Sequence, residues 1–567
     1  MKKKRVISVL VATALTASML AGCGGGSEKT TEKKESTFKG SGEVNRFGWE
    51  KPEETLKIDV LDASGYYAPL EAQKEGEKNS LKYLKDEFNV EINVEHVSGD
   101  GKEALNLALA SGDYPDVITY VPFSMVEKFA KMGKAVELTP YMDTVGTDIK
   151  KSMGEHYNLF LDDKEKLYYV PTLMGAITEL PDRCAHIRYD EWKAIGSPEI
   201  KTPEDYYNAL NAILEKFPKT PNGEDRYALS FYSDSGHYTD PAALSGFWGL
   251  KSGYKIDDDG NFTHWAFTDE GKEMTKYFNQ YHLDGTLDPD SFANNYEQWQ
   301  TKFSNERVVG CVGEWWITYQ SGHEIWQAED PNLPEDKRFV QIGFKDEDAE
   351  SANLSGKNFL GSYCTIITDK AEDPEAIMRF MNFQATDMGT ALTGWGIPNG
   401  TPIGDTGEEV KFWNIDEEGN WEVDPEAKEQ ILAEKWSYDN AYYEEGMPWL
   451  FVNQSRWEDG VHDLWPNQMW YDENKWKSMM MENLDGTIYD SSALTLREKT
   501  DEQKIAEQSV TDAWKANWGD AVMADNDKEF EAAWKKLQDS LTSAGVDTLE
   551  QAMSDNYKKN MEKMETK

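Results

Sequence analysis

Four cysteines in 567 residues are too few for a disulfide framework. Cys23, Cys184, Cys311 and Cys364 are widely spaced, and no paired-cysteine redox motif or zinc tetrad is present. The eight histidines are scattered without metal spacing. The chain has no phosphate loop, no His-Glu-x-x-His helix and no Gly-x-Ser-x-Gly elbow, which removes the commonest nucleotide-binding and hydrolytic signatures. Positive charge is also scarce: 59 Lys and Arg face 104 Asp and Glu, a formal net charge of −45. A surface of that sign repels a phosphodiester backbone and no basic cluster offsets it, so nucleic acid is excluded as a partner. After residue 20 no run is apolar enough to cross a bilayer, and neither a metal nor a cofactor is expected.

What is present begins at the amino end. Lys2, Lys3, Lys4 and Arg5 precede an apolar run over 6–20, shorter than the roughly 20 residues a membrane helix needs. The pattern is that of a secretory signal. It ends Leu20-Ala21-Gly22-Cys23, which resembles a lipobox. That resemblance implies removal of residues 1–22 and a diacylglyceryl group on Cys23, holding the body on the extracytoplasmic face of the cell membrane. Residues 23–53 open with Gly24-Gly25-Gly26-Ser27 and continue polar, which reads as a flexible tether.

The remaining 500-odd residues exceed what one hydrophobic core serves, so at least two lobes are expected. Residues 56–61 alternate apolar and polar, 80–88 has helical spacing, 90–94 is strand-like, 102–111 is helical and 117–120 is strand-like. Strand and helix alternating in this way define an α/β class with a parallel sheet, whose ligands sit beyond the carboxyl ends of the strands. The loops at 64–67 and 120–123 are therefore site candidates. A second α/β region starts near Ile187, with a helix beginning at Thr202-Pro203-Glu204-Asp205. Asp257-Asp258-Asp259-Gly260-Asn261 is read as the tip of a hairpin rather than a calcium loop, because the later ligands of such a loop do not follow. Strands at 308–313 and 363–367, a helix over 374–384 and a mainly helical stretch from Pro425 complete the pattern. The three cysteines after Cys23 are expected as buried small side chains.

Several of these segments, in order, resemble the family-1 extracellular solute-binding proteins of ABC importers. They are Ala110-Ser111-Gly112-Asp113-Tyr114-Pro115-Asp116-Val117, Ile187-Arg188-Tyr189-Asp190-Glu191-Trp192, Lys201-Thr202-Pro203-Glu204-Asp205, the strand delivering Glu314-Trp315-Trp316, and Gly394-Trp395-Gly396-Ile397-Pro398. The likeness implies a periplasmic-binding-protein-like fold of two lobes closing on a ligand in the cleft between them. It places residues 54–178 and 361–410 in lobe 1 and residues 179–360 and 411–567 in lobe 2. It implies a monomer that passes an oligosaccharide to permease subunits without enzymatic chemistry; a glycosidase or a glycan-binding adhesin is the alternative. Some large relatives carry a calcium loop after the Thr-Pro helix. Here 217–226 has Phe217, Lys219 and Thr220 where early acidic ligands belong, so no calcium is expected.

A pyranose offers a C–H face to flat aromatics and a rim of hydroxyls to polar side chains. The 20 tryptophans exceed ordinary usage. Trp315 and Trp316 at a strand end, Trp395 between glycines and Trp248 in a loop are candidate platforms. Tyr66, Tyr67 and Tyr363 follow as aromatic candidates, with Arg188, Asp190 and Glu314 as polar ones.

Overall fold

The computed structural model describes residues 35–64, 71–174, 183–233, 239–314, 317–395 apart from Pro331, Glu335 and Ser362, and 488–565 apart from Arg497 and Glu498, with short pieces between 397 and 453. Three parallel strands arise where the alternating pattern predicts them: Leu56–Asp62 lies between Val90–His96 and Val117–Val121. Cys364–Ile367 adds to the outer edge of Val117–Val121 in antiparallel sense, and Val170–Pro171 closes the five-stranded sheet. Ile58, Val60, Val117 and Ile118 are buried, and helices Glu71–Phe88 and Gly101–Ser111 connect the parallel strands. The second of these helices is fixed at both ends by local chemistry. The Asp100 carboxylate accepts from Lys102 N and Glu103 N, and Gly112 ends the helix at φ 73°, a conformation that costs glycine little.

The second core is built on Arg183–Arg188, flanked by Gly310–Glu314 and Phe339–Ile342, both antiparallel to it. Helix Pro203–Lys216 packs on this sheet. Thr202 and Asp205 form a reciprocal capping box at its start, with Pro203 in the first turn, where a missing N–H costs nothing. The hairpin is present as Tyr254–Ile256 and Phe262–His264, and its tip closes on itself: Asp257 accepts from Asp259 N, Asn261 N and Asn261 Nδ2. Helix Pro374–Gln384 has the expected bounds.

The two cores consist of separate stretches of chain. One gathers residues between Phe47 and Val170 and again from Leu360 onward; the other runs from Ala185 to Leu354 and resumes at Ala506. The chain thus passes between them in the intervals 170–185 and 354–360, and returns to the second core between 450 and 506. Trp413 and Leu450, expected with the second lobe, are buried in the first core. Helices Asp501–Val522 and Asp527–Ala544 seal the second core with Trp514, Trp518, Phe530 and Trp534. Helix Val546–Glu565 touches both. Ser554 Oγ accepts from Phe262 N (2.9 Å), whereas Lys559 pairs with Asp163 (2.6 Å) and Lys563 Nζ donates to Leu161 O (3.1 Å).

One boundary needs correcting. The tether, expected to reach residue 53, ends earlier, because Gly40–Val44 and Glu50–Pro52 pair as antiparallel strands and Phe47 and Trp49 enter the first core. Three aromatics in a polar stretch, Phe38, Phe47 and Trp49, bury enough surface to order it. Asp373 clamps its start: Oδ2 accepts from Ser36 Oγ, Thr37 N, Thr37 Oγ1 and Phe38 N at 2.6–3.1 Å. Burial opposes the charged form, yet the Ala376 N–H on Oδ1 together with the Ser36 and Thr37 donors outweighs it and holds the Asp373 carboxyl below the usual range. Among the described residues, no helix is long and apolar enough to cross a membrane.

Candidate functional site

Side chains suited to a polar ligand gather beside the intervals 170–185 and 354–360, in which the chain passes between the cores. On the second core, Arg183 begins its strand and pairs directly with Glu314 at the end of the neighbouring one, Nε to Oε1 3.3 Å. Together with Tyr232, Thr239, Asp240 and Phe247 they line a small pocket of about 20 Å³. Asp240 enters it as the N-cap of the turn Pro241–Leu244, with Oδ1 accepting from Ala242 N at 2.9 Å. Burial pushes its carboxyl above the ordinary range, more than the nearby Arg183 charge lowers it. Tyr232 packs on Trp299 and Tyr296, which fixes its ring.

His186, on the same strand as Arg183, is buried, with Nδ1 2.9 Å from Thr318 Oγ1 and Nε2 3.5 Å from Cys184 Sγ. Burial lowers its pKa to about 4, so the imidazole is neutral through the physiological range. Cys184, Cys311 and Cys364 are buried small side chains, as expected.

On the first core, Tyr363 is half-buried and its ring lies 5.7 Å from that of Tyr120. Tyr120 has φ 56°, a left-handed backbone that a bulky residue adopts only when its surroundings impose it. The restraint is visible: Tyr120 N donates to Thr172 Oγ1 (3.3 Å), which is 3.0 Å from Thr365 Oγ1. This strained tyrosine stands near the carboxyl end of a parallel strand, within the 120–123 loop that the sheet rule singles out.

The sequence candidates separate clearly. Glu314 and Tyr363 lie at the crossings. Arg188 does not line the pocket: it is 1% exposed and held by Asp190 (Nε and Nη2, both 3.0 Å) and Glu306 (Nη1, 3.0 Å), with its guanidinium 4.7 Å above Trp326. Asp190 is accordingly an internal ion-pair partner. Trp248 ends the turn Ser245–Trp248, is buried against Tyr277 and Phe278, and lines a different cavity of about 430 Å³ with Tyr254 and Glu270. Trp395 is the last residue of helix Asp387–Trp395. Tyr66, Tyr67, Trp315, Trp316 and Cys23 lie outside the described residues, as do Trp449, Trp457, Trp465 and Trp470.

Arg183, Tyr232 and Asp240 were not singled out from sequence, whereas Tyr120 entered as part of the 120–123 loop. The available signals were the Asp-Pro step at 240–241, which caps a helix, and the position of Arg183 at a strand start after a crossing. Neither distinguishes a site residue from any other cap or strand terminus.

The 217–226 loop is closed by protein groups. Lys219 pairs with Asp225, Thr220 N donates to Glu224 O (3.0 Å), and Arg226 binds both Glu191 oxygens at 2.9 Å. Among the described residues, no group of three or more His, Cys, Asp or Glu is placed to hold a metal ion.

Two α/β cores built from alternating stretches of the chain, with polar and aromatic groups beside the passages between them, define a two-lobed binding protein of the periplasmic type. The model of the bacterial extracellular solute-binding protein family matches residues 62–391, and the chain belongs to that family, a family of binding proteins rather than enzymes. It is similar to the fructooligosaccharide ABC transporter substrate-binding protein FusA of Streptococcus pneumoniae serotype 4, at 26% identity over 262 residues, 44% of this chain. That alignment spans about half, 48%, of the relative. In structure, FusA of S. pneumoniae in complex with kestose superposes over 89% of this chain and 99% of its own, with TM-score 0.63 at 17% identity. An extracellular solute-binding protein from Bifidobacterium longum subsp. infantis gives TM-score 0.63 at 14% identity, covering 89% and 98%. The alginate-binding protein AlgQ2 gives 0.57 at 18%, also covering 89% and 98%.

Proposed function

We propose that this chain is an extracytoplasmic lipoprotein that captures an oligosaccharide between its lobes and delivers it to the permease of an ABC importer. The family match over 62–391 carries the reading, and the name of the FusA relative supports the ligand class. The polar pocket at Arg183 and Glu314 and the tyrosine pair at Tyr120 and Tyr363 suit a guest with a hydroxyl rim and flat C–H faces. Capture is a hinge closure driven by contacts that both lobes make only when shut. The guest leaves unaltered.

Calorimetry with a glycan panel, on the full chain in a non-glycosidic detergent, tests the ligand class. Intact sugar must be recovered afterwards. Trp315, Trp316 and Trp395 remain the proposed stacking platforms, with Tyr66 and Tyr67 as further aromatic contacts. At least one of Trp315→Ala, Trp316→Ala and Trp395→Ala should weaken binding by about 1–3 kcal/mol, the scale of burying a large apolar side chain. Unchanged affinity in all three would remove them from the site.

Attachment through Cys23 has its own test. Cys23→Ala should abolish incorporation of labelled fatty acid and release the protein from washed membranes. A variant that still fractionates with lipid label would overturn the anchor.

A further inference from the structure

The oligosaccharide reading leaves the charge of the sugar open, and the pocket speaks to it. We infer that the site takes uncharged oligosaccharides and discriminates against carboxylated ones. This inference rests on the oligosaccharide reading and adds a substrate class to it.

The argument is one of donors, acceptors and charge. Among the described lining residues Arg183 is the sole cation, and its Nε already faces Glu314 at 3.3 Å. Asp240 adds a second carboxylate, whose Oδ1 is satisfied by the backbone N–H of Ala242 rather than by a cation. Lys515 attracts Asp240 more weakly than Arg183 does and does not line the pocket. The protein as a whole carries −45.

A sugar hydroxyl both donates and accepts, so it can meet Asp240 and Glu314 as donor and the Arg183 fork or the Tyr232 hydroxyl as acceptor. A uronate carboxylate only accepts. It would have to draw Arg183 away from Glu314, and would then sit against two carboxylates of its own sign. One uncompensated like charge within several ångströms, at the effective dielectric of a partly exposed site, costs about a factor of ten or more in affinity.

The test uses pairs of sugars alike except for charge: β-1,4-manno-oligosaccharides against β-1,4-mannuronate oligosaccharides, and methyl-esterified oligogalacturonates against the free acids. Affinities are measured by calorimetry on the full chain at low and at high salt. In any pair that binds, the neutral member should be at least about ten-fold tighter at low salt, with the ratio shrinking as salt rises. The double variant Asp240→Asn/Glu314→Gln should bring that ratio towards one. Because it is a ratio within one protein, a general loss of stability does not mimic the result. Equal or tighter binding of a carboxylated sugar by the natural chain overturns this inference while leaving the oligosaccharide reading intact. Failure of every glycan, neutral or acidic, removes both.

Discussion

Replacing Arg188 by alanine should destabilise the protein by about 3–5 kcal/mol, the scale for breaking a buried ion pair by removing one partner. The guanidinium is almost wholly enclosed and gives its Nε and Nη2 to the Asp190 carboxylate, its Nη1 to Glu306, and its face to Trp326. Lys337 also reaches Glu306 (2.8 Å) and Arg226 holds Glu191, so neither residue can replace the lost cation at Asp190. What remains is a half-buried Asp190 carboxylate that has lost its directly paired cation, beside a void under an indole. Arg188→Met, which restores most of the volume, should recover only the packing part of the loss. Burial disfavours ionised Glu306, but the Arg188 and Lys337 charges outweigh it and hold its pKa below the usual carboxylate range. A carboxyl lowered in the folded state stabilises fully above its unfolded pKa, and that contribution is lost as pH falls through the lowered value. The gap between natural and Arg188→Met proteins in urea unfolding should therefore narrow on acidification. A loss under 1 kcal/mol for the alanine variant, or a gap that widens in acid, would show that the network is not the restraint described. In the folded fraction, glycan affinity should be unchanged, since Arg188 does not line the pocket.

Trp49→Ala should cost about as much, roughly 3–5 kcal/mol, by deleting a large buried aromatic. Its indole packs edge-on against Phe38, Phe380 and Phe383 with ring centroids 5.6–6.2 Å apart, and its Nε1 donates to Phe88 O at 2.9 Å. The variant loses the apolar area and leaves a buried carbonyl without its donor. A control locates the effect. A chain starting at Glu35 should unfold at the same urea concentration as one retaining the whole stem, while one starting at residue 54 should unfold earlier. Equal midpoints for all three chains would return residues 35–53 to the tether.

Periodicity was legible where local spacing decides the outcome. The three parallel strands, the capped helix at Pro203–Lys216, helix Pro374–Gln384 and the 254–264 hairpin all follow from alternation, caps or an Asp-Gly turn. Residues 35–53 were misread because their few aromatics are diluted among charges, and burial depends on what the rest of the chain offers them. The site was harder still. Glu314 and Tyr363, proposed as ligand contacts, stand at strand ends, positions that an alternating pattern makes predictable. Arg188 and Asp190 carry the same kinds of functional group and sit on the same strand and the helix after it, yet the register of Arg183–Arg188 turns Arg188 inward.

The order of residues alone determined the α/β class, the sign of the surface charge and the membership that the ordered segments announced. These depend on spacing and composition, which are local and additive. The tertiary structure decided which charged groups neutralise one another inside and which are left for a ligand. That choice turns on distances between residues more than a hundred positions apart, such as Arg183 and Glu314 or Arg188 and Glu306, and no local pattern encodes them.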